Sequence, residues 1–325
     1  MSQGTIEIIA AGAFTTVQDA GRSGAGDMGI LQCGSMDPVS MRAANLLLGN
    51  PADEAVLECT LTGPEIRFTV PCAFSVSGAD MQPELDGQRI PMNAAVTAKA
   101  GSVLKLKSAV CGLRSYIAVK GGLDLPMVFG SRSTDVKCGI GGYCGRKLAS
   151  GDAIGLRAPE TALTDRYKRY LTKKEEARFL PHLSETDGEV LLRVMWGPQA
   201  DRFPEEAKRV FTTNRYILSA ESDRMGSRFA GPVIPADGGT DIVSDGIVSG
   251  AVQVTSAGMP IVMTADHQTT GGYAKIAAVI TADLPLLAQL RPGTAVRFVP
   301  VGLKAAKKAA RAVGKRMKQL KRAVN

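Results

Sequence analysis

PIVMTADHQTTGGYAKIAAVI, residues 260–280, sets two short apolar runs, PIVM and IAAVI, on either side of the polar stretch TADHQTTGGYAK (264–275). The apolar runs read as buried strands, and a hairpin turn joining them needs only two to five residues. The polar stretch is longer and far richer in side-chain chemistry. Two readings stay open from the residues alone. In one, a long hairpin uses its Thr and Asp side chains to cap its own backbone. In the other, the stretch holds a ligand. Asp266 is then a base or an orienting carboxylate, and Thr269, Thr270 and the amides of Gly271 and Gly272 donate to an anionic oxygen. Lys275 supplies positive charge, and the glycines let backbone approach a ligand closely. The P-loop pattern G-x-x-x-x-G-K-[ST] is absent.

Working outward, CAFSVSG, ELDGQRIP with a turn at Asp86-Gly87, SVLKLKS, RSYIAVKGG and KLASGDAIGLRA read as short strands bounded by turn residues. VLLRVMWGP, YILSA, GAVQVTS and AVRFVPV read the same way. DPVSMRAANLLLGN has a helix's punctuation: Asp37 as cap, Pro38 at the first helical position and Gly49 as terminator, with Val39, Ala43, Leu46 and Leu47 on one face. PADEAVLEC after it is expected to form a second short helix, and PLLAQL a turn or two. The pattern predicts a mainly β protein with a few short helices. Residues 1–160 form a β-rich domain with an early helix, 161–189 a charged connector, 190–303 a second β domain and 304–325 a basic amphipathic tail.

A chain of 325 residues, 45% hydrophobic and 22% charged with 36 glycines and 17 prolines, suits a soluble, β-rich globular protein of about two domains. Its net charge of +8 belongs to the tail. Nine Lys or Arg and no acid lie from Lys304 onward, which leaves 30 basic against 31 acidic residues in the body. A nucleic-acid-binding body would carry its basic cluster on the domain itself, so nucleic acid is not expected as a partner. The tail repeats Ala306, Ala310, Val313, Met317 and Leu320 at helical spacing and is expected to be a solvated or frayed helix. Six cysteines without a C-x-x-C pair, and two histidines, argue against a zinc cage. Glu7 interrupts the first apolar run, no basic segment precedes it, and no stretch approaches the ~20 apolar residues of a membrane span. With free thiols, these features point to the cytoplasm.

Three further polar clusters can carry chemistry. SAESDRMGSRFAGP (219–232) holds two arginines four apart, able to grip a carboxylate or phosphate, or else to form an Asp–Arg turn network. In FGSRSTDVKCGIGGYCGR (129–146), Ser131, Arg132, Ser133 and Thr134, with the loop at Gly141 and Gly142 and with Arg146, can line an anion pocket. Glycine density alone is common in β proteins. TTVQDAGRSGAGDMGI places Asp19, Gly21 and Arg22 just ahead of the helix. His267 and His182 lack a G-x-S-x-G partner for serine-hydrolase chemistry.

Read in order, TVQDAGRSG, GSMDPVSMRAANLLLGN, LECTLTGPEIRF, GLRSYIAVKGGLDLP, FGSRSTD, GGYCGRKLASGD, SDRMGSRFAGP and the long stretch from GAVQVTS to LAQLRPG resemble the KipA family, whose members are also called the 5-oxoprolinase C subunit or allophanate hydrolase subunit 2. The resemblance covers the body of the chain. It departs at His267, where an Arg is expected in D-R-Q-T-T-G-G-Y. It implies two cyclophilin-like β-barrel domains, kinship with the carboxyltransferase part of urea amidolyase, and a KipI-like partner (the 5-oxoprolinase B subunit). A LamB/YcsF-type protein (the 5-oxoprolinase A subunit) and ATP would complete a unit that opens 5-oxoproline to glutamate. For that reaction the residue types make Asp266, as base or orienter, Lys275 and Arg224 the expected catalytic residues; Ser222, Asp223, Gln253, Gln268 and Tyr273 join the Ser, Thr, Arg and Gly residues above as expected contacts to a small amide or lactam. Two other readings stand beside it: carboxyl transfer from carboxybiotin to urea or a related amide, and regulatory antagonism of a KipI-like kinase inhibitor. The chain has no A-M-K-M-like segment, so biotin would have to be supplied by another protein.

Overall fold

The computed structural model describes residues 4–159, 170–180 and 188–324. The chain divides into two compact units. One comprises Met1–Ser23, Cys33–His182 and Lys315–Asn325, the other Gly24–Gln32 and Leu183–Gly314. Both are mainly β.

In the first unit, alternation drives burial. Along Thr5–Ala10, Ile6 and Ile8 turn inward while Glu7 faces outward and pairs across the sheet with Arg67. A seven-stranded sheet runs Leu123–Asp124, Ala153–Leu156, Thr5–Ala10, Glu65–Phe68, Val103–Lys105, Glu84–Leu85, Gln88–Arg89. A five-stranded sheet runs Phe14–Gln18, Val56–Thr60, Cys111–Val119, Cys72–Asp80, Ala95–Ala98. Their inner faces share one core, which includes Ile6, Ile8, Leu57, Ile66, Phe68, Phe74, Leu104 and Ile117.

The helix Pro38–Leu47 starts where its punctuation predicts. Asp37 accepts from the amides of Val39 and Ser40, each at 3.0 Å, and from the Ser40 hydroxyl at 2.6 Å. Gly49, in the left-handed region at φ 68°, closes it. One face, with Met41 and Ala44, packs on Val56, Ala73 and Tyr116; the other, with Ala43, Leu46 and Leu47, packs on Leu171, Phe179 and Leu320.

PADEAVLEC forms no helix. Residues 51–55 turn, and Val56–Thr60 is a strand whose first four residues are all buried. Val56 lies under the helix and Leu57 and Cys59 face the core, and a strand covered on both faces loses the alternation that would have revealed it. In the charged connector, 161–169 and 181–187, including His182, lie outside the described residues. Between them Lys173–Phe179 is a helix begun by a Thr172–Glu175 capping box, with Phe179 buried. The basic tail is the helix Leu303–Val324. Its end is neither frayed nor solvated on all sides, because Met317, Leu320 and Val324 pack against the cluster that covers the early helix.

In the second unit a closed barrel runs Val190–Trp196, Lys275–Val279, Ala251–Val254, Pro260–Met263, Gly226–Ala230, Tyr216–Leu218, Ala295–Pro300 and back to Val190–Trp196 through a parallel pairing. Leu192, Val194, Val252, Val262, Ile276, Val296 and Phe298 are among the side chains filling it. The helix Glu205–Thr213 adds Phe211, stacked on Phe298 at 4.6 Å between ring centres. Phe298→Ala is expected to cost about 3–5 kcal/mol, as for other buried aromatics. Trp196, the single tryptophan, lies 6.4 Å from Phe211 and reports the loss by fluorescence-monitored denaturant unfolding.

The opening polar stretch is only half a loop. Thr270–Tyr273 is a strand paired with Asp241–Gly246 in a separate two-stranded ribbon. The glycines and the nearby loop residues hid it from sequence patterning.

Candidate functional site

In the second unit the chain leaves the strand Pro260–Met263 and turns over the start of Gly226–Ala230. The Thr264 amide donates to the Met225 carbonyl at 3.0 Å, and the Thr264 hydroxyl and the Asp266 amide both donate to the Arg224 carbonyl, at 2.7 and 2.8 Å. That lacing places Asp266 against Arg224. Nε and Nη2 of Arg224 donate to the two carboxylate oxygens at 2.8 Å each, and both side chains are almost wholly buried. Both oxygens of Asp266 are engaged in this fork, which fixes the carboxylate and the guanidinium against one another. Arg228, four residues on, is exposed on the strand, so the two arginines do not form one clamp. His267 is buried, with Nδ1 2.7 Å from the Gln268 carbonyl. A carbonyl can only accept, so Nδ1 carries the hydrogen.

Lys275 belongs to a different cluster. Its ammonium donates to Asp245 at 2.6 Å and to the Gly246 carbonyl at 3.1 Å, and its amide donates to the Gln199 side chain at 3.1 Å. Lys275 pairs with Gln253, and Gln253 with Ile261, whereas Asp266 lies beyond Met263 at the other end of that strand. At about 3.3 Å per strand residue, the two ion pairs are separated by on the order of 10 Å along the barrel wall. The remaining candidates here serve the backbone. Asp223 accepts from the amides of Met225 and Gly226, Ser222 from that of Arg228, and Gln253 donates to the Tyr273 carbonyl. The Thr269 carbonyl accepts from Ile247, while Thr270, Gly271, Gly272 and Tyr273 make up the ribbon strand.

The Lys275 hydrogen bond, with help from Gln199 and the Gly246 amide, holds the Asp245 carboxyl below the usual carboxylate range. A depressed folded value means that the tie adds stability above the unfolded value of about 3.9 and loses it as pH falls through the lower, folded value. A carboxyl-carbon NMR titration should therefore place the Asp245 midpoint below that of a free Asp, and Lys275→Met should move it back toward about 3.9.

The first unit gathers the 129–146 residues around Asp19, which the sequence marked as part of a polar cluster ahead of the helix without giving its partners. Asp19 Oδ1 accepts from the Ser131 and Ser133 hydroxyls at 2.6 Å each and from the Gly21 amide at 2.8 Å, and Oδ2 accepts from the Arg132 amide at 2.6 Å. Thr134 donates its hydroxyl to the Val17 carbonyl, and Arg132 donates through Nε to the Leu125 carbonyl. Arg146 forms two bonds to Asp152, both at 2.7 Å, and this pairing is the first cause of that carboxyl's lowered pKa. The hydroxyls and Arg146 expected to meet a ligand are thus engaged in binding the protein to itself. Gly141 and Gly142 are needed for closeness: a methyl group at Gly141 would run into Arg22 Nη2 and the Ser133 carbonyl, and one at Gly142 into Thr134. Arg22, 2% exposed, is the guanidinium left with open donors here; it donates through Nη2 to the Ser133 carbonyl, while Nε and Nη1 have no partner among the described residues. The TTVQDAGR segment was visible in the sequence as polar, but its role required seeing which loop it meets.

All six cysteines are free. Among the described residues no group of His, Cys, Asp or Glu is arranged to hold a metal, and no helix is long and apolar enough to cross a membrane.

Residues 28–300 match the family model for the carboxyltransferase domain, subdomain A and B. The chain belongs to the carboxyltransferase domain family. Among its relatives, the 5-oxoprolinase C subunit of Escherichia coli (strain K12) is 38% identical over 311 residues, covering 94% of both chains. The protein of the same name from Haemophilus influenzae is 34% identical, over 98% of this chain and 99% of that one. The K. lactis urea amidolyase structure superposes with a TM-score of 0.90 at 31% identity. This carboxyltransferase-domain chain is covered over 98% of its length in that comparison and spans 20% of the larger protein. The kinship expected with the urea amidolyase part is therefore a shared fold as well as shared sequence.

Proposed function

We propose that this chain is the C subunit of a 5-oxoprolinase, which acts with partner proteins in the ATP-dependent opening of 5-oxoproline to glutamate. The observation that carries the reading is the 38% identity to a protein of that name over nearly the full length of both chains. A lactam carbonyl is a poor electrophile, and opening it calls for activation in a site rich in fixed hydrogen-bond donors. In the second unit Lys275 is tied to Asp245, and the Gly271–Gly272 segment lies in a paired ribbon. In this reading ATP is bound together with a partner subunit, the KipI-like or the LamB/YcsF-type protein. The setting is the cytoplasm.

The urea amidolyase likeness favours a second reading, carboxyl transfer to urea or a similar amide, with biotin carried by another protein. No observation on this chain favours the regulatory reading. Reconstitution separates the two enzymatic readings. The chain mixed with its KipI-like and LamB/YcsF-type partners should release glutamate and phosphate from 5-oxoproline and ATP, and omitting the chain should abolish both. A complete mixture that leaves 5-oxoproline intact, yet carboxylates urea when a biotin carrier is added, would replace the first reading with the second.

A further inference from the structure

The C-terminal helix Leu303–Val324 carries nine Lys or Arg residues and no acid, and it begins beyond residue 300, where the match to the carboxyltransferase family model ends. All nine are exposed, and none forms an ion pair among the described residues. Helical geometry sorts them. At 3.6 residues per turn, Lys304, Lys307, Lys308, Arg311, Lys315, Lys318 and Arg322 fall within an arc of about 100°. Arg316 and Lys321 lie off it. With a rise of about 1.5 Å per residue, the seven make a straight ridge about 27 Å long, with a cation every ~4–5 Å.

The ridge is unfavourable in the chain by itself. Residues three or four apart are neighbours on a helix, so Lys307 and Arg311, Arg311 and Lys315, and Lys318 and Arg322 set like charges side by side. The first turn has Lys304 and no acid, against the helix dipole. The opposite face holds the helix in place. Ala306 is buried, Met317, Leu320 and Val324 join the cluster with Leu46, Leu47 and Phe179, and Arg178 donates to the Gln319 side chain at 3.0 Å. A docked helix keeps the ridge straight and facing outward, which removes the ordering cost that a disordered basic tail meets on binding.

We propose that this ridge is the docking site for an acidic strip on the KipI-like partner, a row of Asp and Glu side chains running beside it for about 27 Å. The inference rests on the C-subunit reading above and names the surface through which that subunit meets its partner. A membrane fits less well. An amphipathic helix enters a bilayer by its apolar face, which here is packed on the protein, and residues 303–324 include no aromatic side chain to anchor at the lipid surface. A nucleic acid would draw on basic residues beyond the helix, where the chain has 30 basic against 31 acidic residues. Charge pairing along an exposed ridge chiefly speeds association and fixes orientation, and salt screens it.

The test is the binding kinetics of the full chain with the KipI-like partner, by biolayer interferometry at about 0.05 M and about 0.5 M salt. Two double variants remove equal charge: Arg311→Gln with Lys315→Gln on the ridge, and Arg316→Gln with Lys321→Gln off it. At low salt the ridge variant should bind about 10- to 100-fold more weakly, mainly through slower association, and the off-ridge variant less than about threefold more weakly. The wild type should lose at least about tenfold in affinity at the higher salt. Neither variant should melt lower, since both remove like-charge neighbours; should one do so, the single changes Arg311→Gln and Arg316→Gln are compared instead. Equal binding by the two variants, salt-independent wild-type binding, or no wild-type binding overturns the inference. Ridge-dependent capture of phosphatidylglycerol vesicles or of duplex RNA, with partner binding unchanged, overturns it as well. Glutamate release from 5-oxoproline at saturating partner concentration judges the functional reading separately. Release while the two variants bind alike removes the ridge and leaves that reading standing, whereas ridge-dependent binding without release keeps the ridge and sinks the reading.

Discussion

Asp266→Ala is expected to destabilise the second unit by about 3–5 kcal/mol, because it removes the carboxylate to which the buried Arg224 guanidinium donates through both Nε and Nη2. Trp196 fluorescence during denaturant unfolding reads this directly. The mirror change, Arg224→Gln, strands the carboxylate instead and should cost a similar amount. The double variant Arg224→Met with Asp266→Leu should recover most of that loss, since matched apolar replacements of a buried pair are often neutral. That variant separates structure from chemistry. If it unfolds like the wild type and still supports full 5-oxoproline turnover in the reconstituted complex, the pair is a fastening of the barrel end and Asp266 leaves the mechanism. If it is stable and inactive, the fork itself is needed for turnover. Additive losses in the double variant would refute the pairing as described, because the two residues would then act independently.

Asp19→Ala should be comparably severe for the first unit, at about 3 kcal/mol or more. One carboxylate there accepts four hydrogen bonds, from Ser131, Ser133, Arg132 and Gly21, and its removal leaves buried donors facing one another. Asp19→Asn should recover little, since its amide nitrogen would confront at least one of those donors. Thermal unfolding by far-UV circular dichroism provides the check. A loss below about 1 kcal/mol would mean that the hydroxyls re-pair among themselves and that Asp19 does not organise the loop.

The early helix and most strands were legible because each is specified by neighbours in sequence. Asp37, Pro38 and Gly49 mark a helix through backbone geometry, and runs such as KIAAVI and VLLRVMW are apolar enough to be strands in almost any packing. Val56–Thr60 and Thr270–Tyr273 were not legible. The first is buried on both faces, and the second is made of residues that serve loops equally well. The site shows the same division. Asp266, Arg224, Lys275 and the 131–134 run could be named from residue type and family resemblance, but their partners could not. Lys275 meets Asp245, a residue with no sequence signal, only because the ribbon folds back over Gln253.

Residue order and composition are enough to establish a β-rich chain, a charge that resides in the tail, and the polar stretches that carry the chemistry. Those properties are local or additive, and each residue contributes to them without reference to distant ones. Which polar groups are already paired, and which are left open, emerges only once the chain is folded. Hydrogen-bond valence is filled by whatever backbone or side chain the fold brings within about 3 Å, from any distance along the chain. That is why Ser131 and Ser133, chosen as donors to a ligand, are engaged by Asp19 more than a hundred residues earlier, while Arg22 keeps open donors.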